Sequence, residues 1–485
     1  MKNRGVLLHI SSLPSPYGIG TMGKAAYEFV DFLARSGQAI WQILPVGPTS
    51  YGDSPYSSLS AFAFNPYFID LDLLVLDNLL SKDDLPAVIE STRVDYEALF
   101  NQRYHILHKA YLNKAIYQDE FNDFVSKEGY WLNDYALFMV IKKHNDNKSW
   151  DNWPDGLKYR RCNEIRNFSF NYSDEINEYK FYQFLAFKQW NALKLYANKK
   201  GISIMGDMPI YCAYDSSDVW ATPHYFKLDN ELKPTFVAGC PPDGFSPDGQ
   251  LWGNPLYNYD LMKKNNYFWW VKRVKHSLKL FDILRIDHFR GFAGYYAIPY
   301  GDKTAKAGHW EKGPKYSLFK AIAKDCPNAN IVAENLGFLT KDVFELLDKC
   351  QYPGMNIFQF ELGDGKNRVP LKKGFKENNI FYSGTHDNQT IMSFYNELNE
   401  NNKKLIDKLC DIKFTDKPNL KIIEFCMRQA CKYTIIPLQD YLGLTDEFGR
   451  MNIPSTGSGN WTYRAKKSDF SKGLSSYMLE ASKLD

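Results

Sequence analysis

Short apolar runs and stretches of helical spacing alternate along most of this chain. Gly5 to Ile10 is an apolar run of strand length, and a loop of Ser, Pro and Gly follows it from Ser11 to Gly20. Over residues 24–36, Ala26, Phe29, Val30 and Leu33 fall at helical spacing, and Gln38 to Val46 returns to a strand-like run. The same pattern predicts helices at Asn177–Lys200, closed by Gly201, and at residues 266–279, 315–325, 340–350 and 420–432. Thr340 stands where the 340–350 helix needs its N-cap. Further strands are predicted at Ile202–Asp207, 283–287, Ile331–Glu334, Asn356–Phe360, Ile380–Ser383 and Thr434–Leu438, the last interrupted by Pro437. Eight strands alternating with helices predict an α/β fold, a (β/α)8 TIM barrel.

Two stretches interrupt the alternation. Residues 73–175 carry helical patterns at Asp95–Ile116, Glu120–Ser126 and Leu132–His144, with enough aromatics (Tyr96, Phe100, Tyr104, Tyr111) for a small core. Residues 210–262 are dense in Pro, Gly and aromatics, which a long loop inside a compact fold carries when it serves a site. The expected organisation is one catalytic barrel domain over residues 1–485, with a helical insertion at about 73–175 and a loop-rich one at about 210–262 over the active site.

Charge and composition narrow the partners. The chain has 485 residues, 59 of them basic and 56 acidic, and a net charge of only +3, which argues against nucleic acid. No run approaches the roughly 18 apolar residues of a membrane span, and the N-terminus has no small-residue cleavage site, so the expected location is cytoplasmic. The eight cysteines are scattered without a C-x-x-C pair, and the nine histidines show no metal spacing; reduced thiols and no metal are expected. Aromatic content is high, with 33 Phe, 33 Tyr and 11 Trp. Most must be core, but Tyr and Trp also suit flat, amphipathic ligands such as sugar rings.

Barrel active sites lie at the carboxyl ends of the strands. Acids gather there: Asp207 after the third strand, Asp287 with His288 after the fourth, Glu334 after the fifth, and His386-Asp387 after the seventh. Side chains alternate along a strand, so Arg285 and Asp287 share a face, and the arginine keeps that carboxylate ionised and aimed. Such crowding of like charges leaves at least one acid protonated near neutral pH. One ionised nucleophile and one protonated acid is the arrangement that glycosidic chemistry requires. Taken singly, Asp207 also reads as a structural strand-end acid, and His288 and His386 as satisfied hydrogen-bonding groups.

The motifs Gly5-Val-Leu-Leu-His, Gly52-Asp-Ser-Pro-Tyr56, Gly206-Asp-Met-Pro-Ile-Tyr211, Gly249-Gln-Leu-Trp-Gly-Asn-Pro255, Arg285-Ile-Asp-His-Phe-Arg-Gly291, Ala333-Glu-Asn-Leu-Gly337, Gly384-Thr-His-Asp-Asn388 and Gly459-Asn-Trp461 run in order over nearly the whole chain. In these it resembles the 4-α-glucanotransferases called amylomaltases or disproportionating enzymes, of the α-amylase clan. The resemblance implies transfer of α-1,4-glucan segments between maltooligosaccharides, by double displacement and without a metal or organic cofactor. It implies Asp287 as nucleophile, Glu334 as general acid and base, and Asp387 as the group that grips the sugar at the cleavage point. It implies substrate contacts for Tyr56, Asp207, Trp252, Arg285, His288, His386 and Asn460. The chain departs from the family pattern at Gly244-Phe245, where relatives carry an aromatic after Pro-Pro-Asp, and at Pro370-Leu-Lys-Lys-Gly-Phe. Hydrolysis of the same glucans needs the same catalytic residues, so an α-amylase-like or α-glucosidase-like hydrolase is the alternative. A glucan-binding protein without catalysis is a further one, opposed by the crowding of acids.

Overall fold

The computed structural model describes residues 3–50, 52–242, 246–361 and 377–484. Among them run twelve strands: β1 (Asn3–Leu7), β2 (Ile40–Gln42), β3 (Ser203–Met208), β4 (Phe236–Cys240), β5 (Gln250–Pro255), β6 (Ile283–Ile286), β7 (Gly294–Pro299), β8 (His309–Lys312), β9 (Ile331–Ala333), β10 (Gly354–Ile357), β11 (Asn379–Tyr382) and β12 (Tyr433–Pro437). Eight form a parallel sheet in the order β10-β11-β12-β1-β2-β3-β6-β9. Its two edges meet: the Ala333 N–H donates to the Pro353 carbonyl at 2.9 Å, and the Asn335 side chain accepts from the Met355 N–H at 2.6 Å. The sheet is thereby a barrel, and the (β/α)8 expectation holds.

Helices cover the outside of a barrel and side chains fill its inside, so its strands are buried on both faces. All four residues of β6 are buried for this reason, and so is Arg285 among them. Its register partner across β3 is Asp207, so adjacent-strand pairing alone sets the two charges side by side. Gly206, just before that acid, allows a close crossing: a Cβ there would lie 2.2 Å from the Phe281 ring.

Several boundaries differ from the sequence expectation. The sixth barrel strand is 354–357 rather than 356–360, and Phe358–Glu361 turns into a helix. Gly354 enters the strand by pairing with Asn379, and a glycine suits it because a Cβ there would lie 2.8 Å from the Asn335 side chain, at the seam that closes the barrel. The second strand is only three residues long. The two helices expected at 120–126 and 132–144 are one helix, Gln118–His144. Gly129 inside it costs about 1 kcal/mol, which burial of Trp131, Leu132, Tyr135 and Phe138 offsets several times over. The helix Ser173–Lys199 does end at Gly201, which takes a left-handed φ of 79°. Thr340 sits at the N-cap position, but its hydroxyl donates to Asp342 instead of capping.

A second, four-stranded antiparallel sheet, β5-β4-β7-β8, has two strands inside the 210–262 stretch and two at 294–312. The hydrophobic pattern does not announce it. Leu251 and Trp252 of β5 are exposed and β8 is largely exposed, so no clean alternation is written into the chain. The Gly244-Phe245 and 370–375 departures lie outside the described residues. Among the described residues no helix is long and apolar enough to cross a membrane.

Candidate active site

Barrel strands deliver their acids to one end of the molecule. Arg285 is the hub. One guanidinium nitrogen contacts Asp207 Oδ2 at 2.5 Å and another contacts Asp287 Oδ1 at 3.0 Å. Asp207 Oδ2 also accepts the Tyr56 hydroxyl at 2.8 Å, while Asp207 Oδ1 is buried without a hydrogen-bond partner. Burial, with help from the Asp287 charge, raises the Asp207 pKa, and Arg285 opposes the rise. Asp287 itself is partly open, with 27 % of its side chain accessible.

Glu334 follows β9 and is buried. Its two oxygens accept backbone N–H groups, Oε2 from His288 at 2.7 Å and Oε1 from Leu336 at 2.6 Å. Burial and then the charge of Asp287 push its pKa up to about 7, against the lowering effect of Arg285 and the two amides. The sequence expectation of a protonated acid named like-charge crowding as the cause; here desolvation is the larger one.

Asp387, after β11, has the opposite surroundings. Its Oδ2 lies 3.3 Å from His386 Nε2 and its Oδ1 accepts the Asn452 amide at 2.6 Å. Desolvation on the cleft floor would raise its pKa, but His386 foremost, then Asn452 and Arg285, lower it to about 2, although 47 % of the side chain is accessible. His386 is buried, which by itself would lower its pKa; Asp387 reverses that and raises it. Each of the two thus stabilises the charged form of the other.

Aromatic rings wall the cleft. Tyr56 stacks on His386 with ring centroids 5.1 Å apart, and Trp461 leans on both. Trp252, on β5, meets His288 edge to face at 4.8 Å. His288 holds a left-handed φ of 50°, and burial takes its pKa down to about 4, so it is a neutral imidazole; its Nε2 has no hydrogen-bond partner. Left-handed backbone recurs at Trp461, with φ 63°. Such strain at non-glycine residues is held by the surrounding structure and gathers at working sites. Asn460 stands apart: its carbonyl accepts the Ile453 N–H and its amide donates to Thr456, so it folds its own loop. Among the described residues no group of three or more His, Cys, Asp and Glu side chains is arranged to hold a metal ion.

The sequence model of the 4-alpha-glucanotransferase family matches residues 8–469. The chain belongs to the 4-alpha-glucanotransferase family. The 4-alpha-glucanotransferase of Clostridium butyricum is 45 % identical over 485 residues, covering 98 % of this chain and 99 % of the relative. The solved amylomaltase of Streptococcus agalactiae, in complex with acarbose, is 39 % identical with a TM-score of 0.96, covering 100 % of this chain and 99 % of that one. The amylomaltase of Corynebacterium glutamicum, at 18 % identity and a TM-score of 0.81, covers 100 % of this chain and 75 % of that one and shares the fold. With family membership goes the activity expected from the motifs, 4-alpha-glucanotransferase.

Two neighbours of the 4-alpha-glucanotransferase acids escaped the sequence reading. Asn452 and Arg450 lie 65 and 63 positions from Asp387 yet bond to its carboxylate and its carbonyl. No periodicity or charge pattern marks them. Their position in the loop after the eighth barrel strand was the one available signal.

Proposed function

We propose that the chain moves α-1,4-glucan segments between maltooligosaccharides by a retaining double displacement. Asp287 attacks the anomeric carbon as the bond to the leaving O4 breaks, and Glu334 gives that oxygen its proton. The glycan, now an ester of Asp287, is attacked by the 4-hydroxyl of an acceptor, whose proton returns to Glu334. Asp387, paired with His386, holds the hydroxyls of the sugar at the cleavage point. Tyr56, Asp207, Trp252, Arg285 and His288 contact substrate, while Asn460 shapes the last loop beside them. The carrying observation is the Glu334 carboxyl, raised to about 7 beside an Asp287 that Arg285 grips. An acid with that pKa holds its proton for the first step and can lose it for the second.

Transfer rather than hydrolysis calls for acceptor sites that keep water from the ester. Family membership and the exposed ring of Trp252 beside His288 support such sites. The bound acarbose of the Streptococcus agalactiae relative supports a glucan ligand here too. Eight scattered cysteines without a C-x-x-C pair fit a cytoplasmic location. Incubation with maltotriose tests the reading: glucose and longer chains appear while total reducing ends stay constant. Rising reducing ends would make the enzyme a hydrolase. Asp287→Ala abolishes turnover and keeps the thermal transition; an active variant would end the nucleophile assignment.

A further inference from the structure

Asp387 is a loop residue; within its own loop its N–H donates to Thr385 Oγ1 at 3.3 Å and its Oδ2 lies 3.3 Å from His386 Nε2, which leaves its carbonyl and Oδ1 to be held from elsewhere. Between β11 and the next helix, Ile391–Asn396, the chain runs free of regular structure. That further restraint comes from the loop after β12. Arg450 uses all three guanidinium nitrogens there: Nη2 donates to the Asp387 carbonyl at 2.9 Å, Nε to the Asn452 carbonyl at 2.7 Å, and Nη1 to Asp446 Oδ2 at 2.9 Å. Asn452 in turn gives its amide to Asp387 Oδ1 at 2.6 Å and its N–H to the His386 carbonyl at 3.1 Å. The other carboxylate oxygen of Asp446 accepts the Thr390 N–H at 2.7 Å, so the far end of the same loop is tied down as well. Only 13 % of the Arg450 side chain is accessible.

We propose that Arg450 is a positioning residue for the Asp387 carboxylate, clamping Asp387 and Asn452 against each other from the eighth strand's loop. A guanidinium presents its donors in a fixed planar fork. Three acceptors on three directions therefore set the relative position of two backbone segments, which a flexible ammonium cannot do. The Asn452 amide then reaches Oδ1 while His386 takes Oδ2, so the plane of the carboxylate is fixed before sugar arrives. This rests on the substrate role proposed above for Asp387.

The test combines Arg450→Lys, Arg450→Met, Asp387→Ala and the double variant Asp387→Ala/Arg450→Met, measured by maltotriose turnover, acarbose affinity and thermal melting. Arg450→Lys keeps the charge beside Asp446 and carries the test if Arg450→Met does not fold. Each Arg450 variant is expected to lower kcat by about ten- to a hundredfold, the scale of one hydrogen bond to a charged group, with a smaller change in KM. Arg450→Met weakens acarbose in the parent and changes it less than about twofold in the Asp387→Ala background, as coupling through one carboxylate requires. Arg450→Lys with parental kcat, or equal weakening in both backgrounds, overturns the proposal while leaving the role of Asp387 standing. Parental acarbose affinity in Asp387→Ala removes that role, and the proposal with it.

Discussion

Glu334 and Asp387 are carboxylates at the ends of two barrel strands, and their surroundings drive them in opposite directions. Glu334 is held by two backbone amides in a buried corner, and its pKa rises to about 7. Asp387 is held by an imidazole and a side-chain amide in an open one, and its pKa falls to about 2. Hydrogen-bond count does not decide this, since each has two donors. Amide donors fix a carboxyl in place without supplying a full charge, so desolvation wins at Glu334. At Asp387 the first partner is the His386 ring, whose own pKa the carboxylate raises. One cluster thus provides a proton donor and a permanent anion.

Glu334→Gln should break the comparison most severely. Transfer from maltotriose should fall by about 10³-fold or more, because the leaving sugar needs a proton. A maltosyl fluoride donor, whose leaving group needs none, should still load Asp287, and release of fluoride measures it. Equal loss with both donors would remove the acid role. Asp387→Asn comes next: turnover should drop about 10²-fold, with a smaller change in KM, because a neutral amide cannot carry the charge that His386 faces. A loss confined to KM would instead make Asp387 a uniform binding group.

The acidity itself sets the third expectation. Transfer should decline as pH rises through about 7, where Glu334 loses its proton, and no decline tied to Asp387 should occur above about pH 4. An alkaline limb unchanged in Glu334→Asp would point to another acid. The smallest effect is on stability. Glu334 binds its proton more tightly folded than unfolded, so between its unfolded pKa and about 7 the folded state holds more protons. The sign of the linkage then makes stability fall as pH rises through that window. Glu334→Gln should accordingly be more stable than the parent at pH 8, by of order 1–3 kcal/mol, as read by thermal melting. Asp387, lowered instead of raised, should give no such gain on conversion to Asn.

The barrel was legible because strand and helix periods alternate eight times, and parallel strands buried on both faces are continuous apolar runs. Strand ends were legible too, since a charge that closes an apolar run is a local signal: Asp207, Asp287 and Glu334 announce themselves this way, Arg285 interrupts its strand, and Asp387 follows the seventh run within its motif. The antiparallel sheet was not. Its strands are short and partly exposed, and their partners lie as far apart in sequence as Val237 and Ile298. Asn460 was picked out by its motif, yet its side chain bonds within its own loop. Asn452 and Arg450 carried no periodicity or charge signal, only their place in the loop after the eighth barrel strand.

By itself the sequence determined the family, the barrel and the acids, because each is written in local runs of a few residues. Tertiary structure alone decided which acid keeps its proton and what holds each one still. Burial depth and a partner 65 residues away are properties of the closed barrel. At Glu334 depth overcomes two hydrogen bonds; at Asp387 the His386 and Asn452 contacts overcome desolvation. Neither balance exists until the strands have brought the two corners together.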